Sequence, residues 1–214
     1  MVDPSLVLAT LSKRYPQPKT NLIASNPFEL LVATILSAQC TDARVNQLTP
    51  ALFAAWPNPK AMSEADQGAL EEVIRPAGFY RMKAKHLLAT AKRLETTFQG
   101  TVPKTLEELL TLPGVARKTA NVVLYGAYGI NAGFAVDTHV KRISTRLGLT
   151  KEQDPNRIEE DLVRLFPQES WGDLNHRMVW FGREICCARS PKCHSCPFGE
   201  SCPRLGLEGS AKSG

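Results

Sequence analysis

No apolar stretch in the chain approaches the roughly 20 residues that a membrane-spanning helix needs, so no membrane partner is expected. The first residues, Met1 to Lys13, lack a basic start and a small-residue cleavage site. That argues against a secretory leader and for an intracellular, cytoplasmic protein. Period-2 alternation is scarce, no βαβ pattern occurs and no segment repeats internally. A parallel α/β fold is thereby excluded. Charge of one sign is not in large excess either. The 26 basic and 21 acidic residues leave a net charge of +5. A balance this mild permits a nucleic-acid partner without establishing one, so any footprint for one must come from local placement.

What is present is helical. Ser5 to Arg14 reads as a short amphipathic helix stopped by Pro16. Asn26-Pro27-Phe28-Glu29 is a helix start, with Asn as N-cap, Pro at the first helical position and Glu reaching back. Ser63 to Asp66 and Thr105 to Glu108 have the spacing of two further capping boxes. Ala84, Leu87, Leu88, Ala91 and Leu94 repeat at i, i+3, i+4, i+7, a buried helical stripe. The opposite face carries Lys83, Lys85, Lys92 and Arg93 and reads as solvated surface. Asp137 begins a helix ending near Leu147, with Gly148 as a left-handed stop. Asp154-Pro155 opens another, closed by Pro167, and Trp171 to Glu184 is one more. The fold class is all-α. At 43% hydrophobic and 22% charged over 214 residues, the chain can bury a real core. The small, polar stretch 206–214 is expected to be a flexible tail.

Of six cysteines, five lie between Cys186 and Cys202. In a reducing compartment such a group is a metal site rather than a disulfide set. From Cys186 the spacing is C-x6-C-x2-C-x5-C, through Cys193 and Cys196 to Cys202, with prolines supplying the turns. Cys186 and Cys187 are adjacent, so their side chains diverge. One of them is surplus, and the spacing does not say which. Zinc and a [4Fe–4S] cluster both accept four thiolates. Paired CxxC knuckles would favour zinc, and only one CxxC is present.

Leu112-Pro113-Gly114-Val115-Ala116-Arg117-Lys118-Thr119-Ala120 joins the helix from Thr105 to a second helix by a tight turn. Backbone N–H groups at the start of that second helix make a phosphate site. An ordinary αα-hairpin turn is the plain alternative. Lys118 lies in the first turn, against the helix dipole, where the field disfavours the ammonium and helps expose a nucleophilic amine. On position alone a solvated lysine is the commoner reading. Asp137, in Val136-Asp137-Thr138-His139, is a preferred N-cap. It is also a carboxylate able to stabilise positive charge or carry protons, and the two roles are compatible. His139 reads as a packed, hydrogen-bonded side chain.

In order along the chain, Leu36-Ser37-Ala38-Gln39 with Thr41-Asp42, Gly78-Phe79-Tyr80, the LPGVARKTA hairpin, VDTH and the four-cysteine loop resemble the endonuclease III family of helix-hairpin-helix DNA glycosylases. The match runs from about Pro27 to Pro203. The resemblance implies two helical domains: a six-helix domain over 22–130 and a cluster domain from 1–21 and 131–205. It implies a [4Fe–4S] cluster on Cys186, Cys193, Cys196 and Cys202, structural rather than catalytic. It further implies double-stranded DNA with a damaged base or abasic site as partner, bound in a groove by a monomer, and a nucleoid-associated place in a bacterial-type cell. The target nucleotide would be flipped out. Lys118 would attack C1′ of an oxidised pyrimidine nucleotide, displace the base and pass through a Schiff base to β-elimination. Asp137 would stabilise the sugar cation. Gly114, Ala116 and Arg117 of the hairpin, with Arg189 and Lys192 of the cysteine loop, would meet phosphates. Gln39 would fill the vacated space and Phe79 would wedge into the stack. From the residues alone, Gln39 reads as a polar helix end and Phe79 as core.

Two positions depart from the family pattern. Ala116 stands where the hairpin usually has a second Gly, and its methyl is expected to crowd the phosphate or strain the backbone. Weaker DNA binding than in an Ala116→Gly variant follows. Phe79 stands where Leu is common. An adenine-excising branch of the same fold is a rival, but it typically lacks a lysine at the position of Lys118. A second rival is a non-enzymatic DNA-binding module, which would need neither Lys118 nor Asp137.

Overall fold

The computed structural model describes residues 1–207, and the described residues are helical with no strand, as the pattern predicts. The α-helices are α1 (Pro4–Arg14), α2 (Pro27–Leu36), α3 (Asp42–Ala55), α4 (Pro59–Ser63), α5 (Gln67–Ile74), α6 (Tyr80–Phe98), α7 (Leu106–Leu110), α8 (Arg117–Tyr128), α9 (Thr138–Arg146), α10 (Pro155–Leu165) and α11 (Trp171–Glu184). Short 3₁₀ turns cover Arg75–Ala77, Gln168–Ser170, Cys193–Ser195 and Gly199–Ser201. Among the described residues no helix is long and apolar enough to cross a membrane. Of the expected tail, 208–214 lies outside the described residues. Leu207 closes a turn, its N–H donating to Arg204 O at 3.1 Å.

The chain divides into two compact units. One is Thr20–Ile130; the other joins Met1–Lys19 to the chain from Asn131 onward. In the first, caps set the helix starts. Asn26 Oδ1 accepts from Glu29 N–H at 2.9 Å, and Glu29 reaches back to Ser25 N–H at 2.6 Å. Thr105 caps α7 through Glu108 N–H. The expected box at Ser63 is not formed. Ser63 ends α4, which Asn58 and Pro59 start, and Asp66 caps α5 through Ala69 N–H at 2.9 Å. Both residue types can cap, and the helix already running through Ser63 decides between them.

Helix α6 buries Ala84, Leu87, Leu88, Ala91 and Leu94 as its period requires. Lys85, Lys92 and Arg93 are exposed, but Lys83 is not. Only 4% of Lys83 is accessible, which corrects its placement on the solvated face. Its ammonium finds two buried carbonyl acceptors, and these hold it inside.

In the second unit, α1, α9, α10 and α11 share a core built on Leu11, Phe134, Val140, Ile143, Leu162 and Phe181. Gly182 lets α9 approach α11, because a Cβ there would lie 2.9 Å from His139 and from Arg142. Tyr15 closes α1 against α11, its hydroxyl donating to Glu184 at 2.5 Å. Burial, and then that hydrogen bond, push Tyr15 up to about 12 from an ordinary 10. A raised phenol favours the fold while it stays protonated. That contribution is complete below pH 10 and is lost as pH rises towards 12. Tyr15→Phe should therefore flatten the alkaline limb of an unfolding curve followed by circular dichroism, from a lower starting stability.

Candidate active site and cysteine centre

The hairpin runs from α7 to α8 through Thr111–Ala116. Gly114 adopts φ +78°, and a Cβ there would meet the His86 side chain at 2.8 Å. Only a glycine fits both the left-handed backbone and that approach. Pro113 O accepts from Thr90 Oγ1 at 2.6 Å, so α6 holds the turn from beneath. Ala116 is the N-cap of α8 and offers no side-chain acceptor, and the first intrahelical bond belongs to Ala120 N–H. The N–H groups of residues 117–119 therefore emerge at the positive end of the dipole, where an anion is favoured. Ala116 has φ −91° and ψ 169°. This is extended backbone open to any residue, so the expected backbone strain is absent and only the bulk of the methyl remains.

Lys118 is the second residue of α8 and is exposed, as are Arg117 and Gly114. Gln39 follows the end of α2 with φ 53° and is exposed. Phe79 is the residue before α6, with φ 48° and 66% of its surface accessible. That corrects the plain reading of Phe79 as core. The left-handed backbone before α6 leaves the ring exposed to solvent.

In the other unit, Asp137 caps α9. Its Oδ1 accepts from His139 N–H and Val140 N–H, each at 2.8 Å. The approach to it is fixed by buried Phe134, Ala135 and Val136, and by Asn175 Nδ2 donating to Ala135 O at 3.0 Å. Both cap bonds fall on one oxygen, leaving Oδ2 outside the cap of a rigid, half-buried carboxylate. His139 is packed beside Gly182 with Nδ1 3.1 Å from Arg142 Nη2, a structural arrangement.

Cys186, Cys193, Cys196 and Cys202 line one cavity, together with Phe181 and Ile185. Cys187 does not line it, and its Sγ donates to Arg183 O at 3.3 Å. Geometry thus separates the two adjacent cysteines that spacing left equivalent. Burial pushes the Cys186 thiol up, opposed by Arg146, and burial likewise raises Cys202. Among the described residues no group of three or more His, Cys, Asp or Glu side chains is arranged to hold a single metal ion. Arg146 was not singled out by the sequence. Only 6% exposed, its guanidinium donates to Cys187 O at 2.6 Å, Ala188 O at 3.1 Å and Cys186 Sγ at 3.4 Å. A basic residue in the last turn of α9 was its one sequence-level signal. Arg189 and Lys192 are exposed on the same loop.

Residues 32–168 match the HhH-GPD superfamily of base excision DNA repair proteins. Endonuclease III of Synechocystis is 52% identical over 197 residues, covering 92% of this chain and 90% of that protein. The chain belongs to the endonuclease III family. Its activity class is that of a base-excision DNA glycosylase and lyase. Among solved endonuclease III structures, a non-covalent DNA complex aligns with TM-score 0.90 at 41% identity, covering 95% of this chain and 97% of that one. A trapped covalent DNA intermediate, described as an estranged-adenine complex, aligns equally well, with the same coverage.

Proposed function

We propose that this endonuclease III family member excises oxidised pyrimidines from double-stranded DNA and nicks the strand 3′ to the resulting abasic site, with Lys118 as nucleophile. The observation that carries the reading is an exposed lysine in the first turn of α8, directly behind an N-terminus left without a side-chain cap. The hairpin N–H groups hold a phosphate, with Gly114, Ala116 and Arg117 beside it, and the amine is presented to the neighbouring flipped sugar. The Lys118 nitrogen forms a bond to C1′ as the glycosidic bond breaks, and the electron pair leaves with the base. The amine then loses a proton, the sugar ring opens to a protonated Schiff base, and loss of a C2′ proton expels the 3′ phosphate. Asp137 supports this through Oδ2, countering charge at the sugar and carrying protons. Gln39 fills the space left in the duplex and meets the orphaned base, and Phe79 enters the stack.

The cavity between Cys186, Cys193, Cys196 and Cys202 suits a [4Fe–4S] cluster. It is walled largely by apolar side chains and carries four thiol donors. Bound there, the cluster would fasten the loop that presents Arg189 and Lys192 to phosphates, and no step of the reaction passes through it. The same reading places the protein in the cytoplasm, on nucleoid DNA, as a monomer.

The deciding experiment is borohydride trapping. Incubation with duplex DNA holding an abasic site should give a covalent adduct whose modified peptide contains Lys118. Absence of an adduct from iron-loaded protein would support a binding module instead. Ala116→Gly should raise DNA affinity at matched salt with no loss of stability, since Gly is at least as good an N-cap as Ala. Equal affinities of the two proteins in a titration would show that the methyl meets no phosphate.

A further inference from the structure

Within the unit Thr20–Ile130, three separate segments carry the residues assigned to DNA: Ser37–Thr41 with Gln39, Ala77–Tyr80 with Phe79, and the hairpin. One face of α6 touches all three. Lys83 Nζ donates to Leu36 O at 2.8 Å and to Ala77 O at 2.9 Å. His86 lies against Gly114. Thr90 holds Pro113 O. We propose that Lys83 is a positioning residue that fixes Gln39 and Phe79 in register with each other, so that it governs how the duplex is probed and not how Lys118 is presented. The inference rests on the reading of Gln39 and Phe79 as DNA contacts.

The physical case is the cost of the arrangement and where its bonds go. A lysine 4% exposed is expensive to bury unless its donors are used. Burial lowers its pKa, and the nearby Cys40 partly offsets this. Both acceptors end helical turns. Leu36 is the last residue of α2, and Ala77 closes the 3₁₀ turn before α6. Carbonyls at such ends lack intrahelical donors and carry the negative end of the dipole, so one buried cation ties two chain ends together. Two or three residues beyond each end a residue other than glycine takes positive φ, Gln39 at 53° and Phe79, after Gly78, at 48°. Such conformations persist only where the surroundings fix them. Lys83 supplies a fixed point three residues before one and two residues before the other. Core packing alone would be served by an apolar side chain on this face, as Leu87 shows one turn on.

The test uses iron-loaded Lys83→Met and Lys83→Gln. Amide hydrogen exchange in 38–41 and 78–80 should accelerate by roughly tenfold or more, the scale set by losing charge-assisted hydrogen bonds. Exchange in α8 should hold steady. On duplexes carrying one lesion opposite each of the four bases, the preference among opposite bases should collapse to that of Gln39→Ala. Adding Lys83→Met to Gln39→Ala should flatten it no further, since residues acting as one unit are not additive. The Lys118 adduct at saturating abasic-site DNA should change by less than about threefold. Unchanged exchange in both loops, or additive losses in the double variant, would overturn the proposal. So would loss of folding or of adduct in both variants, because Lys83 would then be a stability residue. If wild-type protein forms no adduct, the proposed function fails, while the exchange readout still decides whether Lys83 fixes the loops.

Discussion

Lys118→Ala should form no borohydride adduct and should lose strand nicking by roughly a thousandfold or more, the usual scale for removing a nucleophile. Its fold should be unaffected. Lys118 is exposed and second in α8, and removing a cation from that end of the dipole is neutral or slightly favourable. Asp137→Asn separates the neighbouring role. Asn is as good an N-cap as Asp, so the two bonds to His139 N–H and Val140 N–H survive. The protein should melt within about 1 kcal/mol of the parent. What disappears is the negative charge, and turnover should fall by about 10² to 10⁴ while binding to lesion DNA is kept. Single-turnover excision beside a binding titration distinguishes the outcomes. Near-native excision by Asp137→Asn would reduce Asp137 to a cap, and nicking by Lys118→Ala would move the nucleophile elsewhere.

The parts of this molecule that could be read before its structure are those whose causes lie within a few residues. Asn26 and Thr105 satisfy orphan N–H groups three positions on, so their caps are visible as spacing. The stripe from Ala84 to Leu94 is visible because burial follows the helical period. The same period misleads at Lys83. Its acceptors include Leu36 O, 47 residues away in sequence, and no local pattern announces a buried cation paired with distant carbonyls. Phe79 misleads for the opposite reason: an aromatic is ordinarily core, and only the left-handed turn in front of α6 exposes it. Ser63 and Asp66 carry equally good capping chemistry, and the register of α4 chooses between them. The family and its activity class were legible as a set of motifs in order. The devices that hold those motifs, Arg146 under the cysteine loop and α6 under the hairpin, were not.

Cys186→Ser and Cys187→Ser should differ sharply although the residues are adjacent. Cys186 lines the cavity with Cys193, Cys196 and Cys202, whereas Cys187 turns its sulfur to Arg183 O. Serine at 187 replaces a weak donor with a stronger one in place, so iron content, brown colour and melting temperature should stay at parental values. Serine at 186 removes a thiolate from the proposed cluster site, and hydroxyl oxygen is a poor substitute where soft ligands are needed. Iron should be lost or fall well below stoichiometry, and the loss is cooperative because metal binding and ordering of the loop share one free energy. Arg146, whose donors reach Cys187 O and Ala188 O, would then hold only the first turn of a loop with no centre. Loss of a metal site is among the largest single-residue effects, about 3 kcal/mol or more, and in a chain of this length that lowers Tm by about 6–12 °C. Proteolysis should open between Cys187 and Arg204, and DNA affinity should drop as Arg189 and Lys192 lose their fixed places. A Cys187→Ser protein that bleaches while Cys186→Ser stays brown would reverse the ligand assignment, and a colourless parent carrying zinc would replace the cluster itself.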